Sequence, residues 1–329
     1  MFRSGSPDDP VCLRVDLRGT EDASGELIFL KNFDHLFINI ITDRVGPFFS
    51  KSMMHLSEIN FKAAREIKIR GNWIGADGVE HLAHGLQCLP LLETLDLSGN
   101  GLGHSVRGVE HLSSGLKHLT RLISLRVRDN FLGVDGAAQL SKGLEHLSQL
   151  TLLDIGYNNI GAGGAGFIAD ALGFTSSLTY VDLRDNQLLA EGAEQISRAL
   201  GYLPRLSTLI LGHNSLGAAG AEQLTHGLNH LTSLTVLNIR DNHLGQSGAE
   251  HLAKGLEQAN DLAEIDVGWN ELRRLGAVNL ADALASKASL TTVNMEGNRI
   301  GRSGAEYVTT RLRHLCSLKC INFRSAVLL

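Results

Sequence analysis

Apolar residues recur along this chain on two superimposed periods. Over short stretches they alternate with polar ones, as in LETLDLSGNGLG at 92–103. That period of two predicts a strand with one buried face. Between such stretches lie segments like GAEHLAKGL at 248–256. There Leu252 and Leu256 stand at i and i+4, which predicts a helix with one inward face. Strand and helix signals alternate from about residue 60 to residue 325.

The alternation is a repeat. The frame L-x-x-L-x-L-x-x-N-x-L-G places Asn at 72, 100, 130, 158, 186, 214, 242, 270 and 298, a regular 28-residue step that lengthens by two only between Asn100 and Asn130. A tenth frame (Leu318, Ile321, Phe323) has Ala326 where Asn is due, so the last repeat is incomplete. Upstream, Ile38, Ile40, Asp43, Val45 and Gly46 form a degenerate copy, and Val15, Leu17 and Thr20 suggest another. Asn at the end of each strand is expected to satisfy backbone groups with its side-chain amide as the chain turns inward. Six residues later comes Gly (Gly78, Gly136, Gly164, Gly192, Gly220, Gly248, Gly276, Gly304), shifted to Gly108 by the two-residue insertion in GHSVRG at 103–108. Each is followed by Ala or Val, a small pair expected to bring helix and strand close together. A unit of this kind cannot bury its own apolar face, so the units must stack.

The 28-residue length, the Asn frame and the G-A-x-x-L-A helix opening resemble the ribonuclease-inhibitor-like, intracellular subclass of leucine-rich repeats. The resemblance implies an α/β fold: a leucine-rich-repeat solenoid shaped as a horseshoe, with a parallel sheet on its concave face and helices on its convex face. Residues 1–60 are then an N-terminal cap with degenerate repeats, its strands expected around 11–17 and 36–41. Residues 61–329 hold about nine full repeats and the incomplete one. The family's usual role implies a protein-binding surface.

A finer 56-residue period also resembles ribonuclease inhibitor. Arg-Asp-Asn ends the strands at Asn130, Asn186 and Asn242, whereas Gly-Tyr-Asn, Gly-His-Asn and Gly-Trp-Asn end those at Asn158, Asn214 and Asn270. Two residues before Asn, Arg70, Arg128, Arg184 and Arg240 alternate with Ser98, Gly156, Gly212 and Gly268, and Glu296 follows. With strands ~4.8 Å apart, those arginines recur about every 9.6 Å. Tyr157, His213 and Trp269 stand just before Asn, and Asp96, Asp154, Asp182, Asn238, Asp266 and Asn294 stand four before it. One reading is a solvated charge ladder, with Arg128 paired to Asp154 and Arg184 to Asp182, and each aromatic ring covering the Gly of its own strand. The other is a binding face, because Arg, Tyr and Trp dominate interface hot spots. The candidate partner-binding residues are Arg70, Arg128, Asp154, Tyr157, Arg184, His213, Arg240, Asp266 and Trp269.

Composition narrows the classes. Hydrophobic residues are 43% of 329, Gly numbers 36 and Pro only 5. This composition excludes a disordered chain and suggests one tight turn repeated many times. A net charge of −5 leaves no basic footprint for nucleic acid or anionic lipid. The longest apolar cluster, Leu36 to Ile41, is far below the ~20 residues of a membrane span, and no secretory signal is visible at the N-terminus. Four cysteines (Cys12, Cys88, Cys316, Cys320) are too few and scattered for a disulfide framework, and no Asn-x-Ser/Thr sequon occurs. A cytoplasmic chain, or one delivered into a host cytoplasm, is expected.

Neither a phosphate-binding G-x-x-x-x-G-K-[ST] loop nor an H-E-x-x-H motif is present. The single C-x-x-x-C at Cys316 and Cys320 lacks the second pair that zinc needs. Most of the 14 histidines fall on or just after the helices, where solvation explains them. The sequence predicts no catalytic residue, metal or cofactor. The expected function is a monomeric, non-enzymatic scaffold that holds a protein partner on its concave face. Three other functions stay open from resemblance. Ran GTPase-activating proteins use a similar solenoid, though their acidic C-terminal stretch is missing here. Some plant-pathogen effectors carry the same helix opening, though with an F-box not found in residues 1–60. Immune sensors also carry such repeats, but behind a nucleotide-binding domain. Local departures also mark places for a partner: the insertion at 103–108, Leu189 and Arg273 in place of Gly, and Trp73 as rim anchor or cap packing.

Overall fold

The computed structural model describes the backbone of strands 11–16 and 36–41, and residues 64–71 and 73–324 with side chains other than that of Asp77. Asn72, the Asp43–Gly46 part of the upstream frame, the rest of the expected cap, Ala326 and the apolar tail lie outside the described residues. The chain divides into two compact units, residues 1–158 and 159–329.

The first unit contains strands β1 (Val11–Asp16), β2 (Leu36–Ile41), β3 (Ala64–Ile69), β4 (Thr94–Asp96), β5 (Ser124–Arg126) and β6 (Leu152–Asp154). They pair in parallel in chain order. Helices α1 (Gly75–Leu86), α2 (Val106–Leu116) and α3 (Gly133–Leu144) follow strands β3, β4 and β5. The second unit opens with α4 (Gly161–Leu172) and continues through β7 (Tyr180–Asp182), α5 (Leu189–Leu200), β8 (Thr208–Ile210), α6 (Gly217–Leu228) and β9 (Val236–Asn238). It ends with α7 (Gly245–Gly255), β10 (Glu264–Asp266), α8 (Arg273–Leu284), β11 (Thr292–Asn294), α9 (Gly301–Leu312) and β12 (Cys320–Asn322). Here too the strands are parallel and in chain order. This is an α/β leucine-rich-repeat solenoid.

Register follows the sequence period. Thr208 pairs with Val236 and Val236 with Glu264, each pair one full repeat apart. Thr94 pairs with Ser124 across the longer step, so the insertion is absorbed outside the sheet. A short 3-10 helix, Leu102–His104, takes it up. Ile38 and Ile40 pair with Ile67 and Ile69, in keeping with the degenerate frame. The frame expected further upstream is displaced by two residues. Leu13 and Val15, not Val15 and Leu17, pair with Ile38 and Ile40. With neither Asn nor a regular helix opening nearby, an alternating apolar run cannot fix its own register.

The L-x-L side chains form the core under the sheet: Leu95, Leu97, Leu125 and Val127 in the first unit, and Leu209, Leu237, Ile239 and Val267 in the second, are at most 2% exposed. Leu252 and Leu256 of the α7 turn meet them from the helix side, both fully buried. The Gly-Ala openings act between helices rather than between helix and strand. A Cβ on Gly220 would lie 3.4 Å from the Ala190 Cα and the Ala193 Cβ of the preceding helix, and 2.8 Å from the Leu216 Cβ. Glycine there sets the helix-to-helix spacing.

One leucine position of the core carries a lysine. The helix-to-strand loop buries Leu203, Leu231, Ala259 and Leu315 at one position of the repeat, but Lys287 at the repeat between the last two. Lys287 is 1% exposed and its Nζ donates to the Glu257 carbonyl at 2.9 Å. Burial lowers the ammonium pKa from 10.5, with the Glu257 carboxylate opposing. The unfolded chain therefore binds the proton more tightly, and stability rises with pH up to the unfolded value. Lys287→Leu is expected to stabilise the fold at neutral pH by about 1–2 kcal/mol and to flatten this alkaline rise. Urea unfolding at pH 7 and pH 10 measures both.

Candidate interaction surface

The turn after each strand is built on asparagine. In the second unit the Asn242 Oδ1 accepts the N–H groups of Asn214 (3.0 Å) and Leu216 (3.3 Å), while its Nδ2 donates to the carbonyls of Leu211 (2.9 Å) and Ile239 (3.0 Å). Asn130 and Asn158 repeat the arrangement in the first unit at 2.9 Å, and these side chains are fully buried. The amide ladder expected at the strand ends is present.

The acidic row has a different role from the one its charge suggests. Asp96, Asp154, Asp182, Asn238, Asp266 and Asn294 each accept, through Oδ1, the backbone N–H two residues on, at 2.9–3.1 Å. Asp and Asn share that oxygen on a short stem, which is why both occur there. The row is a set of Asx turns first and a set of ion-pair partners second.

The arginines lie on these turns in four ways. Arg70 Nε contacts Asp96 at 2.7 Å. Arg184 Nε reaches both oxygens of Asp182 at 3.0 and 2.8 Å. Arg128 places its guanidinium carbon 4.1 Å from the centre of the Tyr157 ring. Arg240 crosses a whole repeat: Nη1 and Nη2 each lie 3.2 Å from Glu296 Oε2, with Asp266 3.9 Å from Nη1. Gly268 makes that crossing possible, since a Cβ there would stand 2.8 Å from Arg240 Nη1. The glycines of the 56-residue alternation thus need not lie under their own aromatic neighbours. Trp269 covers Gly297 of the next repeat, whose Cβ would fall 2.6 and 2.8 Å from Trp269 Cδ2 and Cε2. Those are the ring-fusion atoms, so it is a face of the indole that lies on the glycine. His213 Nδ1 meets Asp241 Oδ2 at 2.9 Å.

A backbone feature common to the repeats underlies these side chains. The residue before each Asn has a left-handed backbone, whether it is Gly99 (φ 71°), Gly297 (φ 70°), Tyr157 (φ 57°), His213 (φ 58°) or Trp269 (φ 56°). The ladder imposes it: the N–H groups of His213 and Trp269 donate to the Arg240 and Glu296 carbonyls at 2.8 and 2.7 Å. A side chain there costs roughly 1 kcal/mol relative to glycine. Leu189 and Arg273, in the helix-opening glycine's place, carry the same strain at φ 59° and 54°.

Sequence reading missed one cluster. Trp73, His104 and Phe131 stack in the first unit with ring centres 5.1–6.3 Å apart. His104 comes from the two-residue insertion, which with Trp73 was the signal that pointed there. Among the described residues no group of three or more His, Cys, Asp or Glu side chains would hold a metal ion, and no helix is long and apolar enough to cross a membrane.

Comparison with known proteins agrees with this geometry. A family model described as Leucine Rich repeat matches residues 146–169, 176–197, 230–253 and 286–308, and a second of the same description matches 91–114. Among solved structures, the leucine-rich repeat-containing protein LegL7 of Legionella pneumophila is 20% identical, with a TM-score of 0.50 over 81% of this chain and 86% of that one. An internalin (InlF) of Listeria monocytogenes is 17% identical, with a TM-score of 0.47 over 94% and 86%. No curated protein matches the chain. The chain is a leucine-rich-repeat protein. Proteins of this family and fold are generally non-enzymatic scaffolds.

Proposed function

We propose that this protein is a scaffold of the ribonuclease-inhibitor-like kind that docks a protein partner on the open face of its sheet. The observation that carries the reading is the left-handed backbone under Tyr157, His213 and Trp269. Glycine fits those positions without strain, as it does at Gly99 and Gly297. Yet large side chains are held there, Tyr157 36% and Trp269 47% exposed. A ring kept at that backbone cost, and still partly open to solvent, is placed for use in recognition. Arg128, Arg184 and Arg240, each propped by a neighbour, present preorganised cations beside them. Free, exposed Cys88, Cys316 and Cys320 favour a reducing compartment, the chain's own cytoplasm or a host's.

Glycine substitution provides a test that does not endanger the fold. His213→Gly/Trp269→Gly in the second unit, and Tyr157→Gly in the first, are expected to stay folded and within about 2 kcal/mol of the wild type's stability, relieved backbone strain offsetting part of the lost ring contacts. In affinity capture the variants are expected to lose at least tenfold of the partner retained by wild type. Undiminished retention by both variants would sink the reading.

A further inference from the structure

The 56-residue alternation places an arginine in front of each of three rings, always 29 positions upstream: Arg128 before Tyr157, Arg184 before His213, Arg240 before Trp269. At Tyr157 that arginine lies on the ring face, 4.1 Å from its centre. At Trp269 it does not. Glu296 and Asp266 draw Arg240 across Gly268 instead, and Glu296 occupies a row that carries Arg or Gly at the preceding four repeats. One face of the indole rests on Gly297, while the residue as a whole stays 47% exposed. A cation position filled internally at Tyr157 is vacated at Trp269.

We propose that Trp269 is a receptor for an arginine side chain of the protein partner, an inference that rests on the docking function above. The ring is supported from below by backbone and approachable from the solvent side. Carboxylates neighbour it in the repeat frame: Asp241, held by His213, in the same row one repeat earlier, Glu271, beside His243, two residues on, and Glu296 next to Gly297 in the following repeat. Asp241 and Glu271 are 42% and 59% exposed at their side chains. A guanidinium fits better than an ammonium, because its plane stacks on the indole while its edge N–H groups reach carboxylate oxygens. Arg128 on Tyr157 is the same contact made within the chain.

The test uses the full chain and two peptides, acetyl-Gly-Arg-Gly-amide and its citrulline counterpart, which has nearly the same shape without the charge. The readout is the indole N–H resonance of Trp269, assigned by Trp269→Phe. The arginine peptide is expected to shift it at least threefold more than the citrulline peptide. Glu296→Gln releases Arg240 to settle on the ring, and is expected to halve the response or more. Equal shifts from the two peptides would overturn the proposal, and so would an undiminished response in Glu296→Gln. Either result leaves the docking function standing if the glycine variants still lose the partner. Loss of the docking function alone would appear as normal capture by those variants alongside an arginine-selective shift.

Discussion

Asn242→Ala is expected to lower the unfolding free energy by about 4 kcal/mol, because its amide ties the preceding turn to its own. Removing it leaves the N–H groups of Asn214 and Leu216 without the oxygen they share, and takes one of two amide donors from the carbonyls of Leu211 and Ile239, which keep those of Asn214 and Asn270. The asparagine is fully buried, so water does not replace the lost partner. Each buried polar group stranded in this way costs roughly 1–3 kcal/mol. Asn242→Asp does not rescue the site, because a second acceptor then faces two carbonyls. Exposed Asn260, outside the ladder, serves as the control, and its alanine variant should stay within ~0.5 kcal/mol of wild type. Urea unfolding gives the totals. Hydrogen exchange at the Asn214 and Leu216 amides shows whether the damage begins at those two groups.

Gly227→Ala is expected to destabilise by about 3 kcal/mol, while Gly166→Ala stabilises by roughly 0.5–1 kcal/mol. Both glycines lie inside helices, and the exchange is chemically the same. On α6, a Cβ at Gly227 would stand 2.5 Å from the Ser197 carbonyl oxygen and 2.8 Å from the Ser197 Cα on α5. These are backbone atoms and cannot rotate away. Separating the helices would also break the bonds of Ser197 Oγ, which donates to the Gln223 carbonyl at 2.7 Å and accepts the Gly227 N–H at 3.0 Å. A Cβ at Gly166 on α4 meets only the Gln195 side chain, at 3.9 Å. Alanine there restricts the unfolded chain without crowding the folded one. Thermal melts of the two variants should move in opposite directions, and a fall in both would mean that helix spacing is not what Gly227 protects.

These contrasts show what was legible in the sequence. The strand register followed from the Asn frame, because a residue one repeat away is a stacked neighbour whatever its chemistry. The asparagine ladder was legible for the same reason. Side-chain destinations were not. Arg240 pairs with Glu296 two repeats on, a choice set by Gly268 between them and by a glutamate where other repeats carry Arg, Gly or Ser. The Asx turns were masked by charge: Asp154 and Asp182 read as ion-pair partners until Asn238 and Asn294 proved to make the same bond. The left-handed positions were hidden because residues as unlike as Gly99, Asp129 and Trp269 share them. Lys287 was invisible for want of a motif, since one lysine among leucines reads as surface until its burial is known.

The asparagine ladder is also one-way. Asn214 N–H is accepted by Asn242, Asn242 N–H by Asn270, and Asn270 N–H by Asn298, and never in the reverse sense. A turn is therefore finished by the repeat that comes after it in the chain. During synthesis each newly emerged turn waits, with open N–H groups, for one further repeat to emerge before it can close. The growing polypeptide thus carries one unsealed coil at its ribosome-proximal end, and sealing advances like a zip whose slider travels with translation.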